Sequence, residues 1–233
     1  MHTNNGRRLS FGFERIDEAF PGLQKGDFAA LYGHSICRKL PFFLCVRCQL
    51  PLRMGGLDSQ VVYIDGGNTF DPYGVSAIAQ DHGLEPENVL DRIHVSRAFT
   101  AYQLTALIFE RLEEALKKYD ARLVIVSDVV VLFLDKDVHG GKGIDLFKKM
   151  IGHLSDLASR RRVIVVASHL PHASSRRSRF LESILFGNAD IVLKITESGG
   201  ALCFVPEKHP RLLPFTTLLS SETVTMDMFM EAR

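Results

Sequence analysis

The chain has 233 residues, of which 46% are hydrophobic and 24% charged, proportions typical of a globular protein with one sizeable core. Its formal net charge is +1, so only local clusters of charge bear on nucleic-acid binding. Four cysteines (Cys37, Cys45, Cys48, Cys203) are too few for a disulfide framework, and no secretory signal precedes them. No apolar stretch approaches the roughly 18 residues that span a bilayer. We therefore expect a cytoplasmic protein with no membrane partner.

Short strand-like runs alternate with longer segments of helical period along the chain. The runs are FAALY (28–32), VVYID (61–65), RIHV (92–95), LVIVSD (123–128), VIVVAS (163–168) and DIVLKI (190–195). Two of them, LVIVS and VIVVA, are apolar without alternation, as strands covered on both faces are. This order predicts an α/β domain with a doubly wound, mainly parallel sheet and helices on both faces.

The two ends of the chain differ from this central pattern. After Ile195, the turn signal Ser198-Gly199-Gly200 lies between two strand-like runs and predicts a C-terminal hairpin at the sheet edge. The opening residues are polar. We expect a flexible N-terminus over residues 1–8, a core domain over 9–217 and a C-terminal tail over 218–233.

The stretch LYGHSICRKLPFF (31–43) follows the first predicted strand and opens a predicted helix. Gly33 and Lys39 have the spacing of the phosphate-binding motif G-x-x-x-x-G-K-[ST]. Arg38, however, replaces the second glycine, and Leu40 replaces the metal-binding hydroxyl. Ligands of doubly wound sheets bind at the carboxyl ends of the strands, which is where this stretch begins.

Several long, colinear stretches resemble the ATPase core of the RecA/RadA recombinase superfamily, nearest to its archaeal and eukaryotic branch. They are LSFGFERIDEAFPGLQKGDFAALYG, CQLPLRMGGLDSQVVYID, NTFDPYGVSAIAQDHGLEPENVLDRIHVSRAFTAYQ, ADIVLKI and EKHPRLLPF. The resemblance covers about residues 9–217. It implies a RecA-like core with ATP or ADP as its ligand, contacted through Gly33, Arg38 and Lys39.

The resemblance also shows where this chain departs from the superfamily's catalytic residues. The glutamate that activates the attacking water is replaced by Gly67, which cannot orient water or accept a proton. The strand-ending aspartate position holds Ser127, with Asp128 one residue later. His169 matches the polar sensor position, and Asp65 is the nearest carboxylate before Gly67. Asp65, Asp128 and His169 are therefore candidate residues of the nucleotide site.

Three departures in one site predict a degenerate phosphate loop and a pseudo-ATPase. No catalytic residue is assigned, and no metal site is expected because Leu40 cannot bind Mg²⁺. Whether nucleotide is still bound stays open at this point. An enzymatic alternative is a slow DNA-dependent ATPase in which Asp65 or Asp128 takes over the lost acidic roles.

The segment HASSRRSRFLES (172–183) follows a core strand and reads as a flexible loop. In the recombinases the corresponding loop lines the DNA channel, so the resemblance implies that Arg176, Arg177 and Arg179 contact the phosphates of single-stranded DNA. Phe180 could offer a stacking surface. The alternative is a solvated surface loop or a contact with a partner protein.

Because only eight residues precede the predicted core, we expect this chain to lack the helical domain and aromatic linker of RadA-type recombinases. Filament assembly by that route is not expected. In this layout the chain is similar to archaeal RadB-like proteins. The resemblance implies a recombinase paralogue that acts as an accessory protein in homologous recombination or DNA repair, with a recombinase or another paralogue as partner. A KaiC-like regulatory or scaffold module without a nucleic-acid role is a further alternative.

Overall fold

A computed structural model describes residues 8–138, 140–171, 175–198 and 201–219. The strands are β1 (Arg8–Leu9), β2 (Leu23–Gln24), β3 (Phe28–Gly33), β4 (Val61–Asp65), β5 (Ile93–Arg97), β6 (Leu123–Ser127), β7 (Ile164–His169), β8 (Ile191–Ser198), β9 (Ala201–Lys208) and β10 (Thr217–Leu219). The α-helices are α1 (Glu14–Ala19), α2 (Leu40–Gln49), α3 (Pro72–Asp81), α4 (Pro86–Asp91), α5 (Ala101–Ala106), α6 (Leu112–Tyr119), α7 (Gly140–Arg161) and α8 (Arg176–Asn188). Tight 3₁₀ turns cover Ser35–Arg38, Leu52–Met54 and Val131–Leu134, and a π-helical turn, Leu107–Arg111, joins α5 to α6.

Over the described ranges, eight strands form the main sheet in the order β10-β9-β8-β3-β7-β6-β4-β5. The strands from β8 to β5 run parallel, while β9 and β10 are antiparallel to their neighbours. The predicted mainly parallel sheet is confirmed, as is the hairpin, which β8 and β9 form. The short strand β10 was not predicted and lies outside that hairpin, so it is the outermost strand on this side.

Apolar side chains cover both faces of the sheet because successive residues of each strand point to opposite sides. On β6, for example, Leu123 and Ile125 join the core under α1 to α4, while Val124 and Val126 join the core under α5 to α8. Strands buried on both faces are uniformly apolar, which is why LVIVS and VIVVA were recognisable as central strands.

The segment predicted as a flexible loop at 172–183 is a helix over most of its described part, and that prediction is wrong. Helix α8 begins at Arg176, and the hydroxyl of Ser175 caps it by accepting a hydrogen bond from the Ser178 amide at 3.0 Å. Leu181 and Leu185, one helical turn apart, are fully buried and fasten the helix to the sheet. Polar composition concealed a capped amphipathic helix.

Some predictions lie partly outside the described residues. These are the flexible N-terminus (1–7 of 1–8), the tail (220–233 of 218–233), the turn glycines Gly199 and Gly200, and residues 172–174. Arg8 lies in β1, and β10 extends two residues beyond the expected end of the core. All four cysteines are buried and free. In the part of the chain described, no helix has the length and apolar character needed to cross a membrane.

Candidate nucleotide site and arginine groove

The predicted nucleotide-site residues meet at one edge of the sheet. Strands β3, β7, β6 and β4 are parallel neighbours, so their carboxyl ends lie side by side. Tyr32 pairs with His169 across β3 and β7, and Asp65 pairs with Ser127 across β4 and β6. The fold therefore gathers Gly33, Asp65, Asp128 and His169 along the same edge, as the doubly wound architecture predicts.

The backbone of the phosphate loop makes its hydrogen bonds within the protein, and we call this arrangement closed. Gly33 has a φ of +116°, and a Cβ at this position would lie 2.1 Å from the carbonyl oxygen of Ile195 on the neighbouring strand β8, so only glycine fits. The backbone amides that follow donate to protein acceptors: His34 N to Ile195 O (2.8 Å), Cys37 N to His34 O (2.9 Å) and Lys39 N to Ile36 O (2.9 Å). In a phosphate cradle, loop amides of this kind would point to the ligand instead.

The side chains of the loop match this closed backbone. Ile36 and Cys37 are buried, and burial raises the pKa of the Cys37 thiol to about 12, so the thiol is neutral at physiological pH. Leu40 is buried in the core where a metal-binding hydroxyl would be needed. Arg38 is exposed, and Lys39 is half-buried and engaged within the protein. The loop therefore packs apolar side chains into the core and also carries Lys39.

Gly67, at the position of the expected glutamate, has no room for a side chain. A Cβ on Gly67 would lie 2.8 Å from the Cβ of Asp128, closer than two such atoms can approach. Asp128 follows the last residue of β6 with a left-handed φ of 42°. This left-handed turn directs its carboxylate towards β7, where Oδ1 accepts from Leu170 N at 3.4 Å and lies 3.5 Å from His169 Nδ1.

Asp65 is fully buried and serves the turn that follows β4. Its carboxylate accepts hydrogen bonds from Thr69 N (2.9 Å), Phe70 N (3.0 Å) and the Ser127 hydroxyl (2.7 Å). Arg97 Nε lies 3.6 Å from Oδ2. The hydrogen bonds and the ion pair with Arg97 tie β4 to β5 and β6 and give the carboxylate a structural task.

His169 is completely buried and connects the end of β7 to α8. Its Nε2 lies 3.0 Å from Glu182 Oε1, and the same oxygen accepts from the buried Ser178 hydroxyl at 3.0 Å. Sequence reasoning missed Ser178 and Glu182. Their i, i+4 spacing on a helix was the available signal, but it becomes visible only once the segment is known to be helical.

A groove of about 590 Å³ opens between the N-terminal parts of α7 and α8. It is lined by Gly140, Ile144, Arg176, Arg177, Arg179, Phe180 and Ser183. We call it the arginine groove. The fold therefore brings all three predicted arginines to one surface.

The three arginines are not equivalent. Arg176 and Arg179 are exposed, whereas Arg177 is half-buried and its guanidinium donates to the carbonyl of Val138. A Cβ on Gly143 would lie 3.1 Å from Arg177 Nη2, so the helix α7 leaves just enough space for this side chain. Arg177 braces α8 against the start of α7, and Arg176 and Arg179 remain the exposed cations.

The chemistry of the groove suits a polyanion with flat groups. Two exposed guanidiniums can each bind a phosphate, and Phe180, 50% exposed, offers an aromatic face. Among residues 8–138, 140–171, 175–198 and 201–219, no cluster of three or more His, Cys, Asp or Glu side chains could hold a metal ion.

Comparison with known proteins identifies the family. The family model described as Rad51 matches residues 7–176, a range that contains the phosphate loop and strands β1 to β7. The chain belongs to the Rad51 family. The expected kinship with the eukaryotic branch of the RecA/RadA superfamily is confirmed by this match.

Individual members of the family show the same relationship. The meiotic recombination protein DMC1 of Saccharomyces cerevisiae is 30% identical over 185 residues, which cover 78% of this chain and 54% of that protein. The DNA repair protein Rad51 homolog of Drosophila melanogaster is 31% identical over 158 residues, covering 64% of this chain and 47% of that protein. The meiotic recombination protein DLH1 of Candida albicans is 31% identical over 152 residues. The chain spans about half the length of these relatives.

Proposed function

We propose that this Rad51-family protein is a recombinase paralogue that acts as an accessory protein in homologous recombination or DNA repair, with little or no ATP hydrolysis. The observation that carries the proposal is the crowding at Gly67. Because Asp128 Cβ occupies the space, a glutamate cannot stand at this position without rearrangement. Family membership supports the recombination setting.

Further features support the absence of turnover. Leu40 is a buried hydrocarbon where a Mg²⁺ ligand would be required, and Asp65 is surrounded by the donors of its own turn. Leu40 therefore cannot bind the metal, and the engaged Asp65 carboxylate does not fit a role in activating water. ATP or ADP remains the ligand class that the family implies, with Gly33, Arg38 and Lys39 as the residues that would contact its phosphates.

The arginine groove supports single-stranded DNA as a ligand. Arg176 and Arg179 present cations without apolar cover, and Phe180 lies beside them, so a strand could place phosphates on the guanidiniums and stack a base on the ring. Such binding is electrostatic and independent of sequence.

A protein partner of the recombinase or paralogue type is supported by a second surface. Phe99 and Tyr102 are 65% and 61% exposed at the start of α5, next to the edge strand β5. Exposed aromatic side chains beside an open strand edge are typical of protein interfaces. A regulatory or scaffold module without a nucleic-acid role would bind its partner through this surface and would not use the arginine groove.

A salt titration of single-stranded DNA binding without nucleotide tests the DNA part of the proposal. Each lost phosphate contact reduces the slope of log K against log salt by about 0.7 on single strands, so the Arg176→Ala/Arg179→Ala variant should lower it by about 1.4. The matched control is Lys117→Ala/Lys118→Ala. These exposed cations lie in the last turn of α6, just before β6 begins. They are therefore near the amino ends of the strands, whereas the arginine groove lies beyond the carboxyl ends.

We expect the control to keep the wild-type slope. An unchanged slope in the double arginine variant would remove the groove from DNA binding and favour the scaffold alternative. Arg177→Ala is not a clean probe, because its loss also removes the contact with Val138.

A further inference from the structure

His34, the residue after the first glycine of the phosphate loop, makes contacts that the motif does not require. Its Nδ1 accepts a hydrogen bond from the Ile36 amide at 3.3 Å and so caps the 3₁₀ turn of Ser35–Arg38. Its Nε2 lies 3.3 Å from Oε2 of Glu197 on β8. An imidazole that accepts at Nδ1 carries its proton on Nε2, so a neutral His34 satisfies both contacts at once.

The backbone reinforces this connection between the loop and β8. His34 N donates to the carbonyl of Ile195 at 2.8 Å, two residues before Glu197 on the same strand. The loop is therefore tied to β8 once through its backbone and once through the imidazole. Behind these ties, Ile36 and Cys37 are held in the core.

These contacts engage a backbone donor that a phosphate bound in the loop would need. A phosphate in the loop needs free backbone amides as donors, yet the imidazole accepts from the Ile36 amide. Glu197 places a carboxylate beside the loop, 3.3 Å from the His34 imidazole. Its negative charge opposes the approach of an anionic ligand to the loop. Both effects disfavour the binding of a nucleotide.

We propose that His34 and Glu197 form an autoinhibitory latch that holds the phosphate loop closed against anionic ligands. Opening the loop requires the imidazole to release the Ile36 amide and the loop to leave β8. The latch deepens the proposed function, on which it rests for ATP or ADP as the ligand of this loop, and it makes no use of DNA.

Titration calorimetry with ATP, with and without Mg²⁺, tests the latch. His34→Ala removes both side-chain contacts, and we expect it to bind ATP at least tenfold more tightly than wild type. Glu197→Gln keeps an oxygen that can accept from Nε2 but removes the charge, so its gain should be smaller and in the same direction. The control is Glu207→Gln, a carboxylate on β9 whose contacts are with Tyr32 and Lys194 and not with His34 or Ile36; it should match wild type.

Should His34→Ala fail to fold, His34→Asn replaces it, because a short amide can cap Ile36 without reaching Glu197. Wild-type binding as tight as that of the His34 and Glu197 variants would overturn the latch. So would an equal gain in Glu207→Gln, which would assign the effect to general charge. A failure of DNA binding leaves this result unaffected, so the two proposals are tested separately.

Discussion

Gly67 and Asp128 share one small space at the ends of β4 and β6. The left-handed backbone at Asp128 brings its Cβ to where a side chain on residue 67 would start. The glycine at position 67 and the displaced aspartate at position 128 therefore belong to one structural feature. In the sequence they looked like two separate departures from the superfamily pattern. The consequence is that a single substitution cannot restore the family's glutamate.

Gly67→Glu should therefore destabilise the protein and leave it without hydrolysis. Forcing a Cβ into occupied space costs about 1–3 kcal/mol, as overpacking commonly does. Urea unfolding measures this loss. Gly67→Ala carries the same Cβ and should lose a similar amount, while Asp128→Gly in the Gly67→Ala background should recover part of it. Wild-type stability in Gly67→Ala would show that the space is open.

His169 provides a second prediction at this scale. Replacing Glu182 with leucine removes the acceptor shared by His169 Nε2 and the Ser178 hydroxyl. Depriving buried polar groups of an acceptor costs about 1–3 kcal/mol, whereas Glu182→Gln retains an accepting oxygen and should cost less. Chemical unfolding of both variants checks this. Equal stability of the leucine variant and wild type would contradict the role of Glu182.

At the scale of elements, helices α6 and α7 are joined by an ion pair that the sequence did not indicate. Glu113 and Lys117 have the i, i+4 spacing of a helical ion pair. In the structure Glu113 instead pairs with Arg160 at 3.0 Å and with Arg161, at the end of α7. Hydrogen bonds from Arg161 and then Arg160 lower the pKa of Glu113 from 4.5 to about 2.

This lowered pKa predicts a defined pH dependence. A carboxylate with a depressed folded-state pKa stabilises the fold above its unfolded value of 4.5, and this contribution is lost as the pH falls from 4.5 through 2. Glu113→Gln should therefore show a flatter decline of the unfolding midpoint over that range than wild type. Glu114→Gln is the control, since its exposed pair with Arg111 spans 3.9 Å. Parallel declines for Glu113→Gln and wild type would rule out this linkage.

Strands were easier to predict than the features that make the site. β4 has the predicted bounds because an apolar run buried on both faces has few alternatives. The helix α8 was missed because SSRRSR is polar, although Ser175 as cap and the Leu181–Leu185 spacing were visible signs. The contact between His34 and Glu197 joins residues far apart in sequence, and no local pattern predicts it.

For the whole molecule, the resemblance found in the sequence was sufficient for the fold and the family. It could not show that Asp65 serves its own turn, or that Arg177 braces α7 while Arg176 and Arg179 stay exposed. Those distinctions depend on side-chain packing. Together they describe a Rad51-family core with a closed phosphate loop, a crowded catalytic position and an exposed arginine groove.

Phosphate release from ATP, measured with Mg²⁺ and single-stranded DNA present, tests the central claim that this core hydrolyses little or no ATP. We predict no release above background in wild type, and none in Lys39→Ala, because the position of Gly67 holds no residue that can activate water. Turnover at the ~1–10³ s⁻¹ ordinary for enzymes, abolished by Lys39→Ala, would contradict the account and establish the protein as an ATPase.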